Sequence, residues 1–354
     1  MNKNNLLYLN LAVDDKDTSL GFANSWLYQF AKEFNDVDVI TLKDSTENNN
    51  FIDNVKIFGI KSNEKYSKIE KLFQLRKLII DLFASKKYDF IFSHMSPLLL
   101  ILVVLFGKKN KIPKILWYTH PEPQELSKKL ILFLSLKFSN KVVTASNSSF
   151  PYKSKKVHVI GHGIDAKLFF SKRKTLENQN FLMLSRVTKS KNLEIVIDSF
   201  LKSKFNENSL TIVGEYVTQK DQNHKNYLIK KYENYENIIF KGKIPHNELS
   251  EFLKNFSFHI NATPNGFYDK SVLETLTAGI YNLYSNSDYD KLFKKSSIQF
   301  TKFELNIKSL KNKLDLLYEL DDKDINEITQ YAQENAQKQN LESISQRVLA
   351  IAQN

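Results

Sequence analysis

Twice along its 354 residues this chain alternates short apolar runs with amphipathic stretches of helical length. Strands that follow one another through a helix lie parallel, and a parallel sheet needs cover on both faces. The first series reads as strands at 6–13, 37–42, 51–60, 88–95, 115–120, 141–146 and 156–165. Helices fall between them, around 26–31, 66–85, 97–106 and 124–138. The pattern restarts at 180, with strands at 180–186, 209–215, 237–243, 256–262 and 281–285. Helices at 191–203, 221–235, 246–255 and 271–279 separate these. The fold class is therefore α/β, with two doubly wound domains, one over 1–167 and one over 175–330. Residues 166–179 read as the linker, the polar tail 321–354 as helical, and a helix at about 335–354 is free to pack back on the first domain. Two such sheets in tandem predict a cleft, and ligands of doubly wound sheets bind at the carboxyl ends of the strands.

Composition narrows the chemistry. There is no cysteine, which excludes disulfide scaffolds, cysteine nucleophiles and thiolate metal sites. The longest apolar run, 97–106, is too short to span a bilayer, and the first residues are too short for a secretory leader. A cytoplasmic enzyme is expected. Net charge is +12, unevenly spread: residues 51–200 hold 27 basic against 11 acidic residues, whereas 1–50 hold 4 against 8. The basic surplus of the first half suits an anionic membrane surface, a phosphorylated substrate or nucleic acid, or is simply a solvated lysine-rich face. No nucleic-acid-binding motif accompanies it, so nucleic acid is not expected as a partner. Only nine glycines and four arginines occur. In so poor a background, a glycine in a turn or an arginine at a strand end has better odds of meeting a geometric need that other residues cannot.

The motifs lie in strand-to-helix loops. In SRVTKSKN, 185–192, Arg186 and Lys191 flank a turn that leads into a helix; two cations beside a helix N-terminus suit a diphosphate and would stabilise a departing anion. A solvated basic loop is the plainer reading. In NATPNGFYDKSVLETLTAG, 261–279, the Asn265-Gly266 turn can cradle phosphate, Glu274 can accept paired hydroxyls as a carboxylate does for a ribose, and Asp269 and Lys270 are either helix caps or sugar contacts. In VIGHGIDAKLF, 159–169, two glycines flank His162, which reads as structural. Gly21 stands before the first helix. His94 and His120 each end a strand of the first domain, His120 being the better candidate, with Glu122 and Glu125 nearby as acceptor-hydroxyl ligands or surface residues.

The order GHGID, SR-x4-KN, IVGE, IIFKGKIP and NGFYDKSVLETLTAG, running through most of 141–286, resembles the family 4 glycosyltransferases of GT-B architecture. AVDDKDTSLGF, FSHMSP and LWYTH resemble one bacterial branch of them, with a Gly-x-x-Asp-Lys loop before the donor-binding glutamate. The resemblance implies two Rossmann-like domains facing a cleft. It also implies retaining transfer of a sugar from a nucleoside-diphosphate donor to a glycan or lipid-linked acceptor, in surface polysaccharide or glycolipid synthesis. No tightly held metal or cofactor is implied. Arg186 and Lys191 would hold the diphosphate and Glu274 the ribose, with Asn265, Gly266, Asp269, Lys270, Gly21, Gly214 and Ile244 completing the donor site. His120 would stand near the transferred sugar, and His94 and Glu122 on the acceptor side. The basic first half would then rest on the anionic inner face of a membrane.

This sequence departs from the family pattern at several points. The first glutamate of the Glu-x7-Glu motif is missing, and Asp269 is its candidate substitute. The usual Ala-Met-Ala reads Thr275-Leu276-Thr277, and the usual Gly-x-Pro-Val reads Gly279-Ile280-Tyr281-Asn282. Two other functions stay open: a sugar-nucleotide-binding protein without catalysis, and a basic nucleic-acid-binding protein.

Overall fold

The computed structural model describes residues 5–13, 22–42, 52–60, 66–107, 111–172 and 179–353. The chain divides into two compact units, Met1–Gly163 with Leu341–Asn354, and Ile164–Asn340.

In the first unit the elements run β1 (Asn5–Asn10), α1 (Phe22–Ala31), β2 (Asp36–Thr41), β3 (Val55–Gly59), α2 (Lys68–Ser85), β4 (Phe90–His94), α3 (Pro97–Phe106), β5 (Lys114–Trp117), α4 (Leu126–Phe138), β6 (Lys141–Thr144) and β7 (Val157–Val159). The strands form one parallel seven-stranded sheet in the order β3-β2-β1-β4-β5-β6-β7. Strands β1 and β4 are buried along almost their whole length, as continuous apolar runs such as LLYL and FIF require. One face of the sheet packs under α2, α3 and α4 through Leu75, Ile79, Leu99, Val103, Leu132 and Leu136. Elsewhere the rings of Tyr8, Trp26, Phe30, Phe92 and Trp117 pack together in edge-on, tilted and stacked pairs.

The C-terminal helix α13 (Ile344–Gln353) packs on α1 in this same unit. Arg347, one of the four arginines, donates from its guanidinium to the carbonyls of Ile160 and, at 2.9 Å, of His162. A planar fork of N–H groups meets two converging carbonyls better than a lysine would, and here it fixes the Gly161–Gly163 turn. His162 is buried edge-on against Trp117.

The second unit runs α5 (Ala166–Phe169), β8 (Phe181–Leu184), α6 (Leu193–Leu201), β9 (Leu210–Val213), α7 (Gln219–Lys231), β10 (Ile238–Gly242), α8 (His246–Leu253), β11 (Phe258–Asn261), α9 (Lys270–Thr277), β12 (Tyr281–Tyr284), α10 (Ile298–Thr301), α11 (Ile307–Tyr318) and α12 (Asp322–Gln337). Its five parallel strands are ordered β10-β9-β8-β11-β12. The strand order reverses between β8 and β11, and that reversal opens a crevice above their carboxyl ends.

Two expectations need correcting. The supposed linker at 166–179 opens with α5, capped by Asp165 Oδ1 accepting from Leu168 N–H at 3.0 Å; Phe169 is buried in the core beside Leu182, Val213 and Ile280. Polar flanks made this apolar turn look like a connector. The helix expected to begin near Lys191 begins at Leu193, after a 3-10 turn over Lys189–Lys191. Asn192 joins the two in a left-handed conformation, φ 53°, which asparagine tolerates better than most residues.

Candidate functional site

The carboxyl edge of the second sheet carries most of the donor-side residues. Beyond β8 the chain stays aligned with β9: Ser185 N–H donates to Val213 O at 3.0 Å and Val187 N–H to Glu215 O at 3.1 Å. Gly214 makes this approach possible. Its φ is +146°, and a Cβ there would lie 1.9 Å from the Ser185 carbonyl oxygen. Arg186, on this ledge, is exposed and makes no ion pair among the described residues.

Lys191 is not the solvated loop lysine of the plainer sequence reading. It is 4% exposed, and its Nζ donates to both carboxylate oxygens of Asp269, at 2.7 and 2.6 Å. This ion pair joins the loop after β8 to the loop after β11, across the reversal of strand order. Asn192 Nδ2 makes a second tie, to Ala262 O at 2.7 Å. Asn261 Nδ2 donates to Asp269 Oδ2 at 3.1 Å, and the Asp269 N–H donates to the Tyr289 hydroxyl at 2.6 Å. Lys191 and Asn261 thus hold the carboxylate, while Tyr289 holds the backbone of the same residue. Phe267 lies under the Lys191 ammonium, 5.7 Å from Nζ to ring centroid.

Asp269 occupies the N-cap position of α9, yet its side chain makes no capping hydrogen bond. Of the alternatives open in the sequence, cap or sugar contact, the first is not what the side chain does; it is turned onto Lys191. The loop before it is anchored by Ser287 N–H donating to Asn265 Oδ1 at 2.9 Å and Asn286 Nδ2 donating to Phe267 O at 2.7 Å. Gly266 sits in it with φ 94°, a conformation that glycine takes without strain.

Helix α9 is held by a buried polar network made from the very positions that depart from the family pattern. Thr275 Oγ1 lies 3.0 Å from Asn282 Oδ1, and His259 Nδ1 lies 2.6 Å from the same oxygen. Asn282 Nδ2 donates to Ile280 O at 2.9 Å, which fixes the amide's orientation and makes His259 Nδ1 the donor. Burial pushes the His259 pKa down to about 4, so the ring is neutral. The Thr275 hydroxyl also reaches the Ser271 carbonyl of its own helix at 2.8 Å, so it is partnered within α9 and meets the Asn282–His259 pair as a further contact.

One helical turn after Lys270, Glu274 is buried on the same side of α9. Burial raises its carboxyl to about 7, with the Lys270 charge opposing; burial lowers Lys270 to about 8, with Glu274 opposing. His246, the first residue of α8, brings Nε2 to 3.9 Å from Glu274 Oε1 and stands edge-on to Phe169. Its own pKa is lowered by burial and then by Lys270. His246 escaped the sequence reading, although it follows Ile244 by two residues in the loop leaving β10. Ile244 itself packs against the core that contains Phe169 and Leu249.

The first-unit candidates stand at or beyond the ends of the adjacent strands β4 and β5, apart from Gly21. Gly21 lies outside the described residues. His94 ends β4, 1% exposed, among the rings of Tyr8, Trp26 and Phe92. His120 lies past the end of β5, exposed, with its ring edge-on to Tyr118. Glu122 and Glu125 are exposed and form ion pairs with Lys129 at 3.0 Å and Lys128 at 2.6 Å. Among the described residues no group of His, Asp and Glu could hold a metal ion.

Residues 165–339 match the family described as "Glycosyl transferases group 1", and residues 15–147 match "Glycosyl transferase 4-like". No curated protein matches the chain in sequence. Among solved structures it is similar to HepE (Alr3699) of Anabaena, solved with UDP, at TM-score 0.76 and 14% identity over 98% of both chains. It is also similar to a glycosyltransferase of Rickettsia africae, at TM-score 0.74 and 16% identity over 100% of this chain and 98% of that one. Sucrose-phosphate synthase of Thermosynechococcus elongatus matches at TM-score 0.76 and 12% identity, over 99% and 98%. Two parallel α/β units and these neighbours give the fold as GT-B.

Proposed function

We propose that this chain, a glycosyltransferase of the GT-B type, moves a sugar from a nucleoside-diphosphate donor to a glycan or lipid-linked acceptor with retention of anomeric configuration. The observation that carries the reading is that the Lys191–Asp269 pair, Arg186 and Glu274 all lie on loops and helix turns at the carboxyl edge of one Rossmann-like sheet. HepE is recorded with UDP and with UDP-glucose, which supports a uridine nucleotide as the first donor to try.

In this reading Arg186 and Lys191 hold the diphosphate, and Glu274 accepts the ribose hydroxyls. The bond between the anomeric carbon and the β-phosphate oxygen breaks as the acceptor oxygen bonds to the same face of that carbon. The acceptor proton passes to a phosphate oxygen, and the cations stabilise the nucleoside diphosphate that leaves. His120, His94 and Glu122 belong to the acceptor side. A donor binder without catalysis is the second reading, favoured by Gly266 at the place of the family's first glutamate.

A thermal-shift series with nucleoside diphosphates and nucleotide sugars, joined to a donor-hydrolysis assay, separates these. A ligand that binds only the folded state raises the melting temperature. Stabilisation by UDP or another nucleotide with slow donor hydrolysis supports the transferase; stabilisation without any turnover supports the second reading; no stabilisation by any nucleotide rejects both.

A further inference from the structure

The outer faces of α2, α3 and α4 are apolar where the outside of a doubly wound unit is usually charged. On α2, Leu75, Ile79, Leu82 and Phe83 are buried against the sheet, yet Ile69, Phe73 and Ile80 point outward at 67, 62 and 40% exposure. On α4, Leu132 and Leu136 face the core, while Leu126, Leu130 and Phe133, spaced i, i+4, i+7, form an exposed stripe. Helix α3 between them reads PLLLILVVLF and has no polar residue; Leu98 and Leu105 are exposed on it. It packs on α4 and touches α2, so the three stripes lie side by side. A helix apolar on both faces either lies inside a larger body or meets an apolar medium. Patches of this kind mark interaction surfaces.

The charge around the stripes says what meets them. Residues 66–141 hold 14 basic and 5 acidic residues. Lys68, Arg76, Lys77 and Lys137 are exposed along these helices, and Lys128, also exposed, is paired with Glu125. Lys137 lies over the ring of Phe133, at 5.4 Å, so cation and apolar group share one surface. No described helix is long and apolar enough to cross a membrane. Apolar side chains flanked by lysines on helices of moderate length are the chemistry of a surface that lies on an anionic bilayer, with the apolar groups at the acyl boundary and the ammoniums among the headgroups. An acidic protein partner would need the cations but not three parallel apolar stripes.

We propose that the α2–α3–α4 face is the membrane-docking surface of this protein, with an anionic phospholipid bilayer as its partner. Each of these helices begins at the carboxyl edge of its sheet, where His120 and Glu122 also lie, so docking presents that edge near the lipid surface. The proposal deepens the lipid-linked-acceptor reading but is measured without donor or acceptor.

The test is flotation of the full chain with phosphatidylcholine vesicles, with and without phosphatidylglycerol, at low and high salt. The wild type should float with the anionic vesicles at low salt and lose at least about tenfold in binding when phosphatidylglycerol is omitted or salt is raised. The triple variant F73S/L130S/F133S should lose about tenfold or more at low salt with its melting temperature unchanged, because these side chains are already exposed. Failure of the wild type to float overturns the proposal, as does a triple variant that still floats. A concentration-dependent dimer that the triple variant abolishes, without vesicle binding, also overturns it and assigns the face to a second copy. An Arg186→Ala variant that floats but transfers nothing leaves docking intact, and transfer to a soluble acceptor by a chain that does not float leaves the transferase reading intact.

Discussion

Replacing Lys191 tests whether its charge serves the fold, the reaction or both. The Lys191 side chain is 5% exposed and the Asp269 side chain 21%, with 2.6 Å between Nζ and Oδ2. Removing one partner of a buried pair leaves the other charge uncompensated, at about 3–5 kcal/mol when both are fully buried. Asp269 retains some solvent and the Asn261 amide, so Lys191→Met should cost the second unit about 2–3 kcal/mol. At roughly 2–4 °C per kcal/mol for a unit of this size, its melting transition should fall by about 4–12 °C. Replacing both residues, Lys191→Met with Asp269→Asn, removes both charges, and such exchanges are often near neutral. The double variant should therefore recover most of the lost stability. Turnover should behave otherwise. If Lys191 meets the donor diphosphate, the single and the double variants both lose about 10²-fold or more in transfer. Calorimetry of the second unit's transition, beside initial rates with the nucleotide sugar found by thermal shift, supplies the two readouts for a double-mutant cycle. A double variant that regains turnover would make Lys191 a purely structural cation. A double variant as unstable as Lys191→Met would show that something other than the ion pair holds these loops together.

Other expectations follow from the same edge of the sheet. Arg186→Ala should lower turnover by about 10²-fold while moving the melting temperature little, since the side chain is exposed; unchanged rates would remove it from the site. Glu274 has its pKa raised to about 7, so the folded state holds a proton that the unfolded state releases from about 4.5 upward, and stability should fall as pH rises from about 4.5 to 7. Glu274→Gln should flatten that slope and add up to about 3 kcal/mol at pH 7 and above, read by denaturant unfolding across pH. If Glu274 accepts the ribose hydroxyls as proposed, donor affinity in the wild type should improve as pH rises through about 7, when its carboxylate forms; a pH-independent donor KM would argue against this role. Gly214→Ala should displace the ledge that carries Arg186 and cost more than about 3 kcal/mol, because the new methyl meets backbone and φ is positive; near-wild-type stability and activity would contradict the geometry at β8 and β9.

The sheets were legible because their signal is repetitive and local. FIF in β4, or LTIV in β9, is buried on both faces and carries its own evidence in four or five residues. Helices α10 and α11 escaped because they follow the last strand and belong to no β-α-β unit. α11 has a clear apolar face in Leu310, Leu314 and Leu317, but nothing beyond it signals a return to the sheet. Residues 166–169 were misread because four residues cannot show a helical period.

Charge partners are of another kind. Lys191 and Asp269 are 78 residues apart, and only the parallel order β8-β11 makes their loops neighbours. A lysine in a strand-to-helix loop reads identically whether it is solvated, bound to phosphate or held by a carboxylate, because the three differ only in what the fold brings to it. The departures at Thr275 and Asn282 read as separate in the sequence for the same reason: each is polar where the family is apolar, and only their contacts with each other and with His259 place them in one network. Where a buried polar group departs from a family pattern, the compensating residue should be sought on the adjacent strand or helix before the departure is taken as loss of function. The Gly266 position meets that standard too. The candidate substitute for the carboxylate missing from it, Asp269 three residues on, is already engaged by Lys191. In the proposed reaction the donor's diphosphate would take Lys191 from Asp269 and leave the carboxylate to the sugar; that role predicts loss of transfer in the single and the double variant alike, whatever stability the double variant regains.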